Sequence, residues 1–379
     1  MSESKKLKEV AKVFFKMGVF AFGGPAAHIA MMEDEIVKRR KWMDQQHFLD
    51  LIGATNLIPG PNSTEMTMHC GHERAGFKGL IIAGLSFILP AIFITGLLGF
   101  LYVEYGQLPE VEPFIFGIKP AVLAIIASAV FKLGKKAIKG WELGALGAVV
   151  LSASLLGVNE VLALLGAGVL GAVYFTVKAK LANTAMSFTP FLATTALGSL
   201  GLKLSSLNVF WTFLKVGAVL YGSGYVLFAY LDAELVERGW LTRQELLDAI
   251  AVGQFTPGPV LSTATFIGYQ LTGFWGAIGA SVGIFLPSFI FVLLLNPFVS
   301  KMKKSKPLRF FLNSVNVSAV AVMAGVLFTM STETLINWQA ILIATISVVV
   351  TFVLKKVNVM YTILGGSLLG YILNLDGLF

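Results

Sequence analysis

The chain carries the same residue pattern twice, at a spacing of about half its length. The run Pro59-Gly60-Pro61 recurs 198 residues later as Pro257-Gly258-Pro259. Upstream of these runs the spacing is 199, from Phe14, Lys16, Gly18 and Gly23 to Phe213, Lys215, Gly217 and Gly222. Downstream it is 197, from Gly71, Gly76 and Pro90 to Gly268, Gly273 and Pro287. A duplication followed by two single-residue deletions explains this register, so we expect two related halves.

The composition places both halves in a membrane. Of the 379 residues, 56% are hydrophobic and 13% are charged, and the mean hydropathy is +0.79. A soluble domain has about 25% charged residues. Because a spanning helix needs about 20 apolar residues, the length allows on the order of a dozen crossings and no sizeable aqueous domain. We therefore expect an all-α polytopic membrane protein, with repeats at residues 1–180 and 205–379 and a linker at 181–204.

Charge and cysteine content exclude several classes of site. The formal net charge of +8 indicates cytoplasmic loops that face anionic lipid rather than nucleic acid. One cysteine, Cys70, excludes an internal disulfide and cysteine-cluster metal sites. Only His69 and His72 have a spacing that suits one helical face, and no third ligand lies nearby in the sequence. We expect no metal and no cofactor. The charged start of the chain shows no cleavage site, so we expect no removed signal peptide.

Loop charges predict that the two halves are inverted. Basic residues favour cytoplasmic loops. In the first half, the stretch Leu80 to Val103 precedes acidic residues only, and the next loop contains Lys132, Lys135, Lys136 and Lys139. In the second half, the matching stretch Gly276 to Val299 precedes Lys301, Lys303, Lys304, Lys306 and Arg309, and the next loop contains Glu333. Equivalent helices therefore run in opposite directions. In transporters such repeats hold substrate near the membrane midplane, where they meet.

Two parts of the topology stay open. Basic residues flank the region from Lys5 to Lys41 at both ends, so one crossing cannot place both flanks inside. Either Val10 to Met32 crosses against the rule, or it dips and returns around Gly23-Gly24-Pro25. Phe191 to Leu204 is a candidate extra crossing that would invert the second half. The count is therefore about 10–13 crossings.

Each Pro-Gly-Pro run is expected to break a helix within the membrane. Proline removes a backbone donor and restricts the residue before it, and glycine permits a sharp turn. A second half-helix then begins at each run, and its first N–H groups point into the break. We expect these N–H groups to come from Asn62, Ser63, Thr64, Val260, Leu261 and Ser262. Such an end binds anions, and the hydroxyls of Ser63, Thr64, Ser262 and Thr263 would add donors. The alternative is an ordinary turn between two spanning helices.

Charged residues within apolar stretches form a second set of candidates. Lys16 and Lys215 each precede a glycine-rich turn by seven residues, at Gly23-Gly24-Pro25 and Gly222-Ser223-Gly224. A lysine at the bilayer centre costs roughly 2.5–3.5 kcal/mol on insertion scales, so both lysines are candidates for substrate binding. The alternative is that they reach the headgroups as snorkelling side chains. The candidates for proton coupling are Asp50, Asp248 and Glu65, with structural hydrogen bonding as the alternative.

These segments together resemble a known family. The segments are FFKMGVFAFGGPAAHIAMMEDEIVKRRKW, LIPGPNSTEMTMHCGHERAGFKGL, FLKVGAVLYGSGYVL and ELLDAIAVGQFTPGPVLSTATFIGYQLTG. They are similar to the chromate transporter (CHR) family in its long, two-repeat form. The resemblance implies functional roles for Lys16, Gly23, Gly24, Pro25, Arg39, Pro59, Gly60 and Pro61, and for Lys215, Gly222, Gly224, Arg238, Pro257, Gly258 and Pro259. Ser223 and Gly224 stand where the first half has Gly24 and Pro25, so the halves need not contribute equally.

The resemblance implies a secondary active transporter that exports chromate across the inner membrane of a prokaryote and confers chromate resistance. The sequence has no phosphate-gripping GxxxxGK[ST] motif, so we expect no ATP-driven pump. The alternative is an importer or channel for sulfate or another oxyanion. A membrane-embedded chromate reductase is disfavoured by the single cysteine and by the lack of a dinucleotide fingerprint. The expected partners are an oxyanion and membrane lipid but no nucleic acid, and a homodimer is compatible with the sequence.

Overall fold

The computed structural model describes residues 2–21, 24–55, 58–106, 108, 110–181, 204–221, 226–295, 305–354, 357 and 359–375, and these form helices without strands. The first half contains α1 (Glu3–Phe20), α2 (Gly24–Met32), α3 (Gln45–Thr55), α4 (Asn62–Tyr105), α5 (Glu112–Ala137), α6 (Trp141–Leu155) and α7 (Glu160–Leu181). The second contains α8 (Ser206–Val219), α9 (Leu227–Leu231), α10 (Arg243–Phe255), α11 (Thr263–Leu295), α12 (Lys306–Thr334), α13 (Trp338–Val353) and α14 (Val359–Leu375). π-Helical segments follow α2 at Glu33–Arg39 and α9 at Asp232–Val236, and a 3₁₀ turn at Val260–Ser262 precedes α11.

The helix boundaries reproduce the register of the duplication. The π-helical segments begin 199 residues apart, at Glu33 and Asp232. α3 and α10 begin 198 residues apart, and α6 and α13 begin 197 residues apart at a tryptophan in each half. The prediction of an all-α fold built from two repeats is confirmed.

α4 and α11 each fold back on themselves. The backbone leaves helical geometry at Ala75-Gly76 and at Thr272-Gly273, where the two glycines have φ of +60° and +67°. Residues with a side chain rarely adopt these angles. Gly71 then packs on Gly79, and its equivalent Gly268 packs on Gly276. α4 therefore consists of a short arm (62–74) and an antiparallel long arm (77–105), and α11 of a short arm (263–271) and a long arm (274–295).

The start of the chain forms a re-entrant hairpin. Glu9 near the beginning of α1 pairs with Arg40, which follows the π-helical segment after α2, and with Arg74 at the end of the short arm, each at 2.7 Å. Residues 9, 40 and 74 therefore lie at one level, while Ala21 at the end of α1 lies deeper. The chain dips and returns around Gly24, where φ is +75°. Of the two alternatives that the sequence left open, a crossing by Val10 to Met32 or a dip and return around Gly23-Gly24-Pro25, the structure shows the dip and return.

Packing between the repeats shows the predicted inversion. Gly84 on the long arm of α4 faces Phe289 on the long arm of α11, whereas Gly96 and Gly99 further along it face Thr265 and Tyr269 on the short arm of α11. The long arm of α4 therefore runs parallel to that short arm and antiparallel to the long arm of α11. The later helices are exchanged between the halves. α5 packs against α13 and α14, and α12 packs against α6 and α7. The second repeat is therefore related to the first by a pseudo-two-fold axis between the long arms, as in inverted repeats whose axis lies in the membrane plane.

The described helices are those of a multi-pass membrane protein. Five of them are long and apolar enough to cross a bilayer, namely Asn62–Tyr105, Glu112–Ala137, Leu162–Ala179, Val260–Leu294 and Lys306–Thr334. Four shorter apolar helices accompany them at Trp141–Leu155, Ser206–Val219, Trp338–Val353 and Val359–Leu373. The expected linker and the candidate crossing at Phe191 to Leu204 fall almost entirely at residues 182–203, outside the described residues. The total of 10–13 crossings stays a prediction.

Candidate functional site

The two Pro-Gly-Pro turns are each hydrogen-bonded to the opposite repeat. The N–H of Gly60 donates to the carbonyl of Leu220 at 2.7 Å, and the N–H of Gly258 donates to the carbonyl of Ala21 at 3.0 Å. Ala21 and Leu220 are equivalent residues that end α1 and α8. Both bonds therefore join the turn of one half to the end of the first helix of the other half. They bring the tips of the re-entrant segments together at the interface between repeats.

These turns lie at the depth of the middle of the spanning helices. Gly258 packs against Gly18, Phe87 and Ala91. The long arm at 77–105 has its midpoint at residue 91, so the second turn is level with the centre of that helix. The first turn packs through Gly60 against Ser288, the equivalent of Ala91. Residues 58–61 and 257–260 are buried, which is where irregular backbone is tolerated at membrane depth.

The helix starts after the turns differ in part from the prediction. α4 begins at Asn62, directly after Pro61, as expected. The N–H groups of Thr64 and Ser262 do not point into the breaks, because they donate to the carbonyls of Pro61 at 2.8 Å and of Pro259 at 2.9 Å. The chain closes a tight 3₁₀-type turn at each proline, and this turn uses those two donors. The prediction that the backbone N–H groups of Thr64 and Ser262 are free to bind an anion is therefore wrong.

Other donors at the breaks are not used by the fold. The N–H groups of Ser63, Val260 and Leu261 donate no hydrogen bond to another described residue. The hydroxyls of Thr64 and Ser262 are buried and have no hydrogen-bond partner in the described part of the chain. The hydroxyl of Thr263 donates to the carbonyl of Val260 at 2.7 Å and so closes the turn. Ser63 is also buried, at 2% exposure. Each break therefore keeps at least one unused N–H donor beside one buried hydroxyl.

The two candidate lysines have different surroundings. Lys16 is exposed on α1, five residues before Ala21, and has no ion pair with a described residue. Five residues correspond to about 7.5 Å along a helix, well within half the thickness of the hydrocarbon core. Lys215 is paired with Glu234, whose side chain is 4% exposed. Glu234 also accepts from Arg238 at 2.5 Å.

Glu234 is a residue that the site prediction did not contain. Its equivalent Glu35 binds Arg40 at 2.7 Å and Arg39 at 3.5 Å, and makes no pair with Lys16. Both glutamates were visible as a repeated position in the sequence. Only the folded hairpin reveals that one of them reaches the candidate lysine.

The structure describes the two glycine-rich turns only in part. Gly23, Gly222, Ser223 and Gly224 lie outside the described residues. Gly24 begins α2, and a side chain placed on it would meet no atom within 4 Å. Its neighbour Pro25 is partly buried.

The three candidate coupling residues lie in three different places. Asp50 is exposed on α3. Asp248 on α10 accepts a hydrogen bond from the hydroxyl of Tyr102 at 2.7 Å and lies 3.5 Å from the ammonium of Lys119. Glu65 lies on the short arm of α4, directly beside Gly60, and its exposure is 0%. Of the three, only Glu65 is at a break. The described residues contain no cluster of three side chains suited to a metal ion.

Comparison with known proteins agrees with the two-repeat reading. The sequence model of the chromate transporter family matches residues 8–172 and residues 207–371. The chain is 30% identical over 360 residues to a probable chromate transport protein of Synechococcus elongatus, which covers 92% of this chain and 91% of the relative. It is 28% identical over 376 residues to the chromate transport protein of Cupriavidus metallidurans, covering 97% and 93%. No solved structure matches.

Proposed function

The chain belongs to the chromate transporter family, and from this membership we propose that it exports chromate across the inner membrane as a secondary active transporter. One observation carries the proposal. Two equivalent hydrogen bonds, from Gly60 to Leu220 and from Gly258 to Ala21, join the buried turns of the two inverted repeats at mid-membrane depth. This is the arrangement in which broken helices of inverted-repeat transporters bind their substrate.

The proposed binding groups are those with unused donors near the turns. The N-terminus of α4 offers the backbone N–H group of Ser63, and the hydroxyls of Thr64 and Ser262 lie beside the breaks. A helix N-terminus favours negative charge, and a buried site strengthens the attraction. The ammonium of Lys16 supplies the positive charge that a dianion requires. Because Lys215 is already neutralised by Glu234, it contributes when that pair opens.

The direction of transport follows from the charge of the substrate. An inside-negative potential drives a dianion outward by about 4.6 kcal/mol per 100 mV, twice the value for one charge. Export therefore proceeds without ATP. Uptake of the same ion would require cotransported cations. Sulfate has the same shape and charge as chromate. Import of sulfate is therefore the alternative function that an experiment must distinguish from export of chromate.

Labelled chromate uptake into inside-out vesicles tests the proposal. We expect vesicles that contain the protein to accumulate chromate when their interior is made positive, because export in the cell corresponds to uptake in this orientation. We expect Lys16→Ala to reduce the initial rate by about tenfold or more, since a hydrogen bond to a charged group contributes roughly 1.5–3 kcal/mol. Lys215→Ala is expected to reduce the rate as well.

Lys78→Ala is the matched control. Lys78 forms an exposed ion pair with Glu3 at 3.1 Å, at the level of the membrane surface, and such pairs contribute about 0–1 kcal/mol. Its rate should stay close to that of the wild type. Rates that are unchanged in both Lys16→Ala and Lys215→Ala would remove the lysines from the site. Chromate uptake only in right-side-out vesicles, or sulfate uptake in place of chromate, would contradict export of chromate.

A further inference from the structure

Glu65 is a buried carboxyl group that has no partner among the described residues. It lies at the start of the short arm of α4, and its side chain is 0% exposed. Neither carboxyl oxygen has a hydrogen-bond partner in the described part of the chain, and no described lysine or arginine forms an ion pair with it. A carboxylate that is buried without a cation or a hydrogen bond is strongly disfavoured relative to the neutral acid. The side chain therefore requires a proton in this conformation.

The carboxyl group lies where the two repeats touch. One oxygen of Glu65 and the hydroxyl of Ser288 both lie beside Gly60, so close that a methyl group on that glycine would collide with each of them. Ser288 belongs to the long arm of the second repeat, and its hydroxyl also has no partner among the described residues. Gly60 itself binds Leu220 across the interface. A change at Glu65 is therefore placed to act on the junction between the repeats.

The surroundings of Glu65 contain few other groups that titrate. Tyr221, just beyond the end of α8, is close enough for electrostatic interaction with Glu65. His69 lies one turn further along α4, and His28 on α2 is bound to the carbonyl of Ala21 at 3.2 Å. α11, which supplies Ser288, contains no Asp, Glu, Lys or Arg. Among the described residues, no lysine or arginine forms an ion pair that would compensate a negative charge at Glu65.

The second repeat shows that this carboxyl is not needed for the turn to fold. The equivalent of Glu65 is Thr263, whose hydroxyl donates to the carbonyl of Val260. The equivalent of Ser288 is Ala91, which packs against Gly258. The second Pro-Gly-Pro turn is thus built with the same cross-repeat bond and without any acidic group. Glu65 and Ser288 therefore occur only at the first Pro-Gly-Pro turn, and the equivalent positions at the second turn are Thr263 and Ala91.

We propose that Glu65 is a proton-binding site, and that its protonation is required for a dianionic oxyanion to bind at the neighbouring N-terminus of α4. This inference rests on the proposed function. An ionised carboxylate in the first turns of that helix would repel a dianion at its end, whereas the neutral acid would not. By linkage, at a pH above the titration of Glu65, binding of the oxyanion must then be accompanied by uptake of one proton, whereas below it the proton is already in place.

The test measures chromate binding by the purified full-length protein as a function of pH. In the wild type, we expect the affinity to fall about tenfold for each pH unit above the titration of Glu65, and one proton to be taken up per chromate bound in that pH range only. In Glu65→Gln, whose amide imitates the neutral acid, the affinity should stay high across the range and no extra proton should be taken up. Chromate's own protonation affects both proteins alike, so the difference between them isolates Glu65.

Glu65→Thr reproduces the residue of the second repeat and serves as the second variant, since the fold already accommodates threonine there. It should also bind chromate without the pH dependence. Identical pH profiles in the wild type and both variants would overturn the proton site while leaving chromate binding intact. Loss of binding at every pH in folded Glu65→Gln would overturn it as well, and so would an affinity that follows sodium concentration rather than pH. Absence of chromate binding by the wild type at any pH would instead reject the proposed function.

Discussion

At the scale of single residues, Asp248 and Asp50 show how two equivalent positions acquire different roles. Asp248 lies between α10 of the second repeat and two helices of the first, where Tyr102 and Lys119 hold one of its oxygens. Its side chain is 6% exposed. Asp50 is exposed on α3, which packs mainly against α4 and the π-helical segment before it. The structure therefore favours a role for Asp248 in holding the repeats together.

This role predicts that Asp248→Asn destabilises the protein. The substitution leaves the ammonium of Lys119 without its counter-charge, and loss of hydrogen bonds to a charged group costs roughly 1.5–3 kcal/mol. We expect a lower midpoint of thermal unfolding for the purified protein in detergent. Asp50→Asn, at the equivalent position, is the control and should unfold close to the wild type. Loss of transport in Asp248→Asn with an unchanged unfolding midpoint would instead make Asp248 a coupling residue.

Residue identities at the site were easier to predict than their partners. The repeated register identified Lys16, Lys215, Gly60 and Gly258 directly, because equivalent positions in a duplication can be read without coordinates. The ion pair between Lys215 and Glu234 could not be read in this way, because both repeats have the same two residue types and only one forms the pair. Partners depend on how each hairpin packs, and the sequence does not contain that packing explicitly.

At the scale of helices, the contact between α5 and α14 depends on small residues. Gly117 on α5 lies against Gly366 and Gly370 on α14, so the two backbones approach closely. In membranes such contacts replace the hydrophobic driving force, because lipid tails are as apolar as leucine. This contact joins the first repeat to the last helix of the second. It is therefore part of the exchange of helices between the halves.

We expect Gly366→Ala to weaken this contact and Gly365→Ala to leave it unchanged. A Cβ on Gly366 would lie 2.6 Å from the Cβ of Ala121 and 2.8 Å from the carbonyl oxygen of Gly117, so the helices must separate. Overpacking of this kind costs about 1–3 kcal/mol. A Cβ on Gly365 meets no atom within 4 Å, and alanine there favours the helix by about 0.5–1 kcal/mol. Thermal unfolding of both variants measures the difference. Equal midpoints would contradict the close contact.

The folding back of α4 shows what helix-level sequence reading can miss. The apolar stretch from Leu80 to Val103 was correctly read as a span, and the break at Pro59-Gly60-Pro61 was correctly placed. The return at Gly76 was not predicted, because the positive φ of one glycine leaves little trace in composition. A signal was present in the sequence. Gly71 and Gly79, which touch across the two arms, recur with the same spacing as Gly268 and Gly276.

At the scale of the whole molecule, loop charge predicted an inversion that the packing also shows. Charge distribution records how a membrane protein is inserted, and this information is local to each loop. The antiparallel direction of the two long arms, given by the residues that each contacts, is a separate observation that leads to the same topology. The sequence did not predict that α5 packs on helices of the second half and α12 on helices of the first half. This packing depends on contacts between residues about 200 positions apart in the chain.

The inversion predicts that the loops after α5 and after α12 lie on opposite faces of the membrane. Ile138 and Ile336 lie in these loops and are 53% and 78% exposed. We expect Ile336→Cys to react with a membrane-impermeant maleimide in intact spheroplasts, because its loop follows the acidic end of α12 at Glu333 and is predicted to lie outside. Ile138→Cys should react only after the membrane is permeabilised, because Lys132, Lys135 and Lys136 at the end of α5 and Lys139 in the loop predict that this end lies inside. Replacing one exposed isoleucine in each loop leaves the loop charges unchanged, so the substitutions themselves do not bias the orientation.

The background for both variants is Cys70→Ser, which should give no signal of its own. Cys70 is 0% exposed, so this change also tests whether the buried native thiol contributes to labelling. Full reaction of both introduced cysteines in detergent shows that each is chemically accessible, and a difference seen only in intact spheroplasts then reports sidedness. Labelling of both loops from the same side would mean that equivalent helices run in the same direction. In that case the two turns would not be related by an axis in the membrane plane, and the oxyanion site proposed between them would lose its geometric basis.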